Sequence, residues 1–268
     1  MTRQTFELLV LGSSSASPTA ERNPSAQLLN VSERYFLIDC GEGTQIQLRR
    51  FKARFQRISH LLISHLHGDH FFGVPGLLNS MHLLGRQQEL TIYCPEPLKR
   101  TMDVINEVSN TRLSFKINWH FTNNKGLELL FEDSKVEVFS FPLQHRIFCC
   151  GFLFREKPLP RKIDKSKLRA LDISVADFMR LKAGFDVTNS RGEVIANKDA
   201  TIDPPPPRSY AYCSDTIFDP RIAEYIRNVD LLYHETTFLQ QHIERAGATY
   251  HTTAAQAAEI ARLAGARR

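Results

Sequence analysis

The chain has little of what marks a secreted or membrane protein. Its five cysteines, Cys40, Cys94, Cys149, Cys150 and Cys213, are odd in number and show no C-x-x-C spacing. That argues against a disulfide framework and for core thiols in a reducing compartment. No apolar stretch approaches the length that crosses a bilayer. The opening MTRQTFELLVLG has too short an apolar run for a signal peptide and no small-residue cleavage site. No internal repeat is visible. A cytoplasmic protein without membrane association is expected. What the chain does have is an ordinary core: 42% of its 268 residues are hydrophobic, which excludes wholesale disorder. The length suits one large domain or one domain with an insertion. A net charge of +5 and a pI near 9.0 fit an anionic partner such as RNA, but many proteins without one look the same.

Short apolar runs between turn signals read as strands: FELLVL (6–11), AQLLNV (26–31), YFLID (35–39), HLLIS (60–64) and LTIYC (90–94). VEVFSF (136–141), IFCCGFLF (147–154), YAYC (210–213) and DLLYH (230–234) follow. Thr44 is placed to cap a helix on which Leu48, Phe51, Phe55 and Ile58 recur at three- and four-residue steps. FFGVPGLLNSMHLLG reads as a loop and an apolar helix, and TAAQAAEIARLAG as a final helix from near Thr253 to the chain's end. Two sheets covered by helices are expected. From Glu156 to about Pro207 the rhythm breaks. RKIDKSKLR, a helical VADFMRLK and PPPP at 204–207 read as an insertion projecting from the core, with the prolines as a stiff return.

The chemistry concentrates in SHLHGDH, Ser64 to His70. His65 and His67 point the same way on an extended backbone. Gly68 permits a turn, after which Asp69 and His70 emerge in another direction, an arrangement suited to two adjacent metal ions. Imidazole and carboxylate are ligands of zinc and its neighbours. The bland alternative is a polar loop whose histidines happen to cluster. Further ligands must come from other strand ends. His145 follows VEVFSF, and Asp215 follows YAYC, where a carboxylate can bridge two ions at about 3.5–4 Å, although Ser-Asp-Thr is also an ordinary turn. His60, His82, His120 and His242 have no such context and read as core or surface residues. His234, at a strand end before Glu235, suits the orientation of a ligand rather than ligation itself.

H-x-H-x-D-H, a later histidine and S-D-T, in that order on a strand-rich chain, resemble the metallo-β-lactamase superfamily. The resemblance implies an α+β, four-layer αββα sandwich over residues 1–268, with a flexible arm inserted at 156–207 and a dinuclear zinc site at one edge of the sheets. It leaves the substrate open, because lactamases, glyoxalases, arylsulfatases and nucleases share the loop. DCGEGTQ (39–45), HGDHFFGVPGLL, HETTF (234–238) and YHTT (250–253) narrow it. They resemble the ribonuclease Z family of endonucleases, which trim the 3′ end of precursor tRNA and leave a 3′-hydroxyl on the tRNA and a 5′-phosphate on the trailer. The similarity runs from LGSSSASPTAERNPSAQLL to the final helix and is weakest in the insertion.

That resemblance assigns His65, His67 and His145 to one zinc and Asp69 and His70 to the other, with Asp215 between them. Asp69 would also orient the nucleophile. His251, oriented by Glu235, would protonate the departing 3′-oxygen. It implies a homodimer and an arm that grips tRNA through its Lys and Arg. The Gly-Pro-rich element of bacterial arms is not evident where SVADFM stands, so an arm of different shape is expected. The family's last zinc ligand is a histidine beyond a further strand, past TAAQAAEIARLAG. Two Zn2+ are therefore expected per complete subunit, the second site is expected to be one ligand short within residues 1–268, and a complete enzyme is expected to continue. Two alternatives remain: an arylsulfatase- or glyoxalase-like hydrolase, and an inactive RNA-binding relative.

Overall fold

The structure is a computed structural model that describes residues 4–17 and 19–268. Its first sheet contains β1 (Phe6–Gly12), β2 (Ala26–Val31), β3 (Arg34–Ile38), β4 (Ile58–Leu62), β5 (Leu90–Cys94) and β6 (Ile117–Phe121), bonded in sequence order. β1 to β3 are antiparallel, and β3 to β6 are parallel. Parallel neighbours require crossovers. These are α1 (Thr44–Arg50), then α2 (Gly68–Phe71) with α3 (Val74–Leu83), and α4 (Pro97–Val108). β7 (Glu128–Glu132), β8 (Val136–Leu143) and β9 (Cys149–Glu156) begin the second sheet.

Glu156–Pro207 forms a compact unit of its own. It contains β10 (Lys162–Ile163), β11 (Val187–Thr188), β12 (Val194–Ile195) and β13 (Thr201–Ile202), paired as β10 with β13 and β11 with β12. With α5 (Leu168–Leu171), α6 (Phe178–Lys182) and α7 (Asn197–Ala200) they enclose a small core of Ile163, Leu181, Val187, Ile195 and Ala200. β14 (Ser209–Cys213) and β15 (Leu231–His234) then complete the second sheet, in the order β15-β14-β9-β8-β7. α8 (Ile222–Tyr225), α9 (Ile243–Thr249) and α10 (Ala254–Ala264) close the chain.

Alternation along the strands builds the layers. Leu28, Leu37 and Leu61 pack against Leu48, Leu77, Met81 and Leu98 of the first helical layer. Their neighbours Leu29, Phe36, Ile38 and Leu62 turn the other way, onto Cys150, Phe152, Phe154, Tyr210 and Tyr212 of the second sheet. The intervening Cys149, Leu153, Ala211 and Cys213 pack beneath Ile222, Ala223, Ile260 and Ala264. Strands buried on both faces explain why the central runs are apolar almost throughout. The result is a four-layer αββα sandwich. Among the described residues no helix is long and apolar enough to cross a membrane.

Three sequence expectations need correction. The helix from Thr44 stops at Arg50, and Lys52 adopts φ +54°. Phe55 sits on a separate 3₁₀ turn, and Ile58 begins β4. Phe51 is exposed, while Leu48, Phe55 and Ile58 join the same core, so three elements together mimic one helical stripe. Nor does Thr44 cap α1: Gly43 holds that place, and the Thr44 hydroxyl donates to the Gly41 carbonyl at 2.6 Å. α10 ends at Ala264 with Gly265 at φ +65°. The chain then runs beside β15, with Arg267 N–H donating to Val229 O (3.0 Å) and Leu232 N–H to Arg268 O (2.9 Å). At its other end α10 starts where expected, on a capping box between Thr253 and Gln256. β6 and β7, partly exposed strands at the sheet edges, were not singled out in the sequence.

His60 lies between the sheets, its ring stacked on Phe36 with centroids 4.9 Å apart and tilted against Phe131 at 4.3 Å. Burial pushes its pKa down to about 4, only partly opposed by Asp133. Well above pH about 6.5 the ring is neutral in both the folded and the unfolded chain and contributes no pH dependence. As pH falls toward 4 the unfolded chain takes up a proton that the folded one resists, which costs about 3 kcal/mol. His60→Phe should therefore lose less stability than the wild type between pH 7 and pH 4.5, as read from urea midpoints. Equal losses would contradict this.

Candidate metal centre and cleft

The parallel strand β4 ends at Leu62, and Ile63 N–H still donates to Tyr93 O at 2.8 Å, so the chain stays extended into SHLHGDH. Leu66 packs into the first-layer core, which turns its neighbours His65 and His67 to one common side. The backbone then bends into α2, whose single turn carries Asp69 and His70. His145 follows β8, Asp215 follows β14 and Glu235 follows β15.

His65, His67, His145 and Asp215 converge, with one ligand-type atom from each lying within 4.8 Å of the others. His67 Nδ1 is 3.2 Å from His65 Nε2 and 3.1 Å from His145 Nε2. Asp215 Oδ2 lies 3.7 Å from the former and 3.9 Å from the latter. Its other oxygen, Oδ1, is 3.5 Å from His70 Nε2, which Asp69 Oδ2 approaches at 3.4 Å. One carboxylate thus faces two donor sets. Glu235 and His251 form a third group beside them.

Hydrogen bonds fix which ring nitrogens are free. Asp39, fully buried just past β3 at φ +55°, accepts from Ser64 N–H (2.8 Å), Ser64 Oγ–H (2.9 Å), Tyr212 O–H (2.6 Å) and His70 Nδ1–H (2.7 Å). Having given its one hydrogen to Asp39, Ser64 Oγ must accept from Ser214 Oγ (2.9 Å) and from His65 Nδ1–H (3.1 Å). Ser25 Oγ extends the network at 3.0 Å from the Tyr212 hydroxyl. His145 Nδ1–H donates to Tyr250 O at 2.8 Å. The Nε2 lone pairs of His65, His70 and His145 are therefore left for a cation. Burial holds His65 well below the usual imidazole range and lowers His67 and His145, which keeps these rings in the ligand form. Neutral lone pairs aimed at one another beside a carboxylate fit a metal ion.

Around His70 the balance reverses. Burial alone lowers its pKa, but Asp39, Asp215 and Asp69 together raise it well above the ordinary value. The field that favours a proton at Nε2 favours a metal cation there equally. Burial raises the Asp215 carboxyl, yet the hydrogen bond from His70 and the charges of His70, His65 and His251 hold it well below the usual carboxylate range.

Glu235 is buried and orders three loops. Its Oε1 accepts from Thr252 N–H (2.8 Å) and Thr216 N–H (3.3 Å), and its Oε2 from Thr237 N–H (2.9 Å). His251 Nδ1 lies 3.1 Å from Oε1. Burial lowers the His251 pKa, but Glu235 and Asp215 outweigh it and the net shift is upward. His234 donates through Nδ1 to Glu235 O at 2.8 Å, and its Nε2 has no partner among the described residues. His67, Asp69, His70, Asp215, Glu235 and His251 line one cleft of about 1240 Å³, with His65 and His145 set behind them.

Asp39 and Tyr212 were not singled out as site residues from the sequence. DCGEGTQ marked the segment, but only its likeness to other chains drew attention to it. The tight glycine there is explained by the fold: a Cβ on Gly41 would fall 2.4 Å from Asp69 O. Cys40 N–H donates to His70 O and Gly73 N–H to Cys40 O, both at 2.8 Å, which knits the Asp39 turn to the metal loop.

Residues 6–146 match the family model described as Anti-Pycsar protein Apyc1. The chain is 46% identical over 262 residues to Ribonuclease Z of Bacteroides fragilis (strain YCH46), covering 98% of this chain and 86% of that one. Among solved structures, human tRNase Z, short form, is similar with a TM-score of 0.72 at 27% identity, covering 97% of this chain and 90% of that one. The metallo-β-lactamase fold protein YhfI from Bacillus subtilis is 15% identical with a TM-score of 0.64, covering 97% and 82%. The αββα sandwich is thus a metallo-β-lactamase fold.

Asp39→Asn should leave the backbone in place while mismatching at least one of its four donors. Metal affinity, measured by competition with a chromogenic chelator, should fall by about 10- to 100-fold. Unchanged affinity would mean that the tautomers are set elsewhere.

Proposed function

The chain belongs to the ribonuclease Z family, and we propose that this cleft removes the 3′ trailer from precursor tRNA as a zinc-dependent endoribonuclease. The observation that carries the reading is the two-sided carboxylate Asp215, set between a three-histidine group and the Asp69–His70 pair, with His251 4.0 Å from its Oδ2. Residues 6–146 also belong to the family described as Anti-Pycsar protein Apyc1. That match contains the metal loop and His145 but stops before Asp215, Glu235 and His251, whereas the full-length likeness spans all three.

His65, His67 and His145 would hold one zinc ion, Asp69 and His70 the other, and Asp215 both. The pair, when bound, would lower the pKa of a water and neutralise charge on the phosphoryl oxygens. The chain's own groups do the rest. Asp69 orients the attacking water. Glu235 accepts a hydrogen bond from His251 Nδ1–H and stabilises the charged ring, so that Nε2 delivers a proton to the departing 3′-oxygen. The tRNA keeps a 3′-hydroxyl and the trailer a 5′-phosphate.

The compact unit at 156–207 is proposed as the tRNA-gripping arm. Its positive charge is uneven: Arg161 to Arg169 hold five cations against one acid, while the rest has five cations and seven acids. Phosphate contacts are therefore assigned to 161–169, where they raise affinity without reading sequence. A cytoplasmic homodimer is proposed with it, testable by light scattering.

Zinc-loaded protein should cut trailer-bearing precursor tRNA to a 3′-hydroxyl end, and intact precursor after prolonged incubation would sink the reading. His251→Ala should lower kcat by about 10²- to 10⁴-fold on tRNA, and far less on a 4-nitrophenyl diester, whose leaving group needs no proton. Equal losses on both substrates would remove His251 as the general acid. Deleting the arm should raise KM for tRNA while leaving the small diester unaffected; a parallel loss on both would assign the arm to folding.

A further inference from the structure

Three arginines that the chemistry above does not use line the cleft, and Arg146 is the one that directly follows a metal-ligand position. Arg146 is exposed and lines the cleft with His67, Asp69, Asp215 and His251. Among the described residues its side chain has no acidic partner. The other two arginines of the cleft differ in setting. Arg245 lies over the Phe238 ring, 5.7 Å from its centroid, and Arg22 sits on a turn closed by its own backbone with Thr19.

The backbone that leads into Arg146 is pinned. Gln144 N–H donates to Thr216 Oγ1 at 3.1 Å, and Ile217 N–H to Gln144 O at 2.8 Å. Next to it, His145 is tied to Tyr250 O at 2.8 Å. The arginine's backbone is thereby held beside the ligands, so its side chain starts from a fixed point at the cleft. Its cation shares the cleft with His67 on one wall and His251 on the other. Such a charge is a liability in a site built to attract cations. It becomes an asset when the occupant is an anion.

We propose that Arg146 is a substrate-binding catalytic residue whose guanidinium holds a nonbridging oxygen of the scissile phosphodiester. This rests on reading the cleft as a phosphodiesterase. The diester enters with one negative charge, and as the water oxygen bonds to phosphorus and the bond to the 3′-oxygen breaks, charge builds on the nonbridging oxygens. A planar guanidinium meets that charge with paired N–H donors. A preorganised donor of this kind is worth about a hundredfold or more in rate.

The test compares wild type, Arg146→Gln and Arg146→Lys on precursor tRNA and on bis(4-nitrophenyl) phosphate, with bound metal and thermal midpoint measured for each. Arg146→Gln should lower kcat about a hundredfold on both substrates, with metal content and midpoint unchanged, and Arg146→Lys should recover part of the loss. Diester turnover within about twofold of wild type would overturn the proposal, whatever happens on tRNA. So would a loss of bound metal parallel to the loss of rate, because Arg146 would then act by positioning His145. If the wild type hydrolyses the diester but leaves precursor tRNA intact, the tRNA reading fails while the comparison on the diester still decides the role of Arg146.

Discussion

A single buried carboxylate underlies the geometry of the site. Asp39 is wholly removed from water, and an isolated charge there would cost several kcal/mol. Four donors meet it instead, from Ser64, His70 and Tyr212, and hydrogen bonds to a charged group contribute roughly 1.5–3 kcal/mol each. Ser64 belongs to the metal loop, and Tyr212 comes from the second sheet. Satisfying one anion therefore locks the two sheets together at the edge where the ligands emerge. It also sets the tautomers of His65 and His70, which determines which nitrogens can hold a metal.

The sandwich serves this edge. In an open sheet with parallel strands, ligand groups gather beyond the carboxyl ends of the strands. Here β3 and β4 deliver Asp39 and the histidine loop from one sheet, and the parallel pair β14 and β15 delivers Asp215 and Glu235 from the other. Tyr212 lies stacked on Tyr233 with centroids 5.3 Å apart, so the aromatic packing between neighbouring strands also holds the hydroxyl that reaches Asp39.

Charge is sorted by position within this small volume. Rings without a buried acid at Nδ1, such as His65 and His145, are driven neutral by burial. Those facing Asp39 or Glu235, His70 and His251, are pushed the other way. Identical side chains thus separate into lone-pair donors and proton or cation holders, according to which carboxylate each one meets.

The sequence alone determined the elements whose pattern is local. Short apolar runs between turn signals located nine strands, TAAQAAEIARLAG marked the start of α10 near Thr253, and the spacing H-x-H-x-D-H indicated a metal loop with two directions. His145 and Asp215 were legible only as residues at strand ends, and Glu235 and His251 only through likeness to other chains, because nothing local ties residue 235 to residue 251. Tertiary structure decided the rest. It broke the helical stripe at 44–58 into three elements, since burial on one core can be shared by segments with different backbones. It revealed Asp39, an ordinary residue in one dimension, as the hub, because a buried charge is defined by what surrounds it, and its partners come from residues 64, 70 and 212.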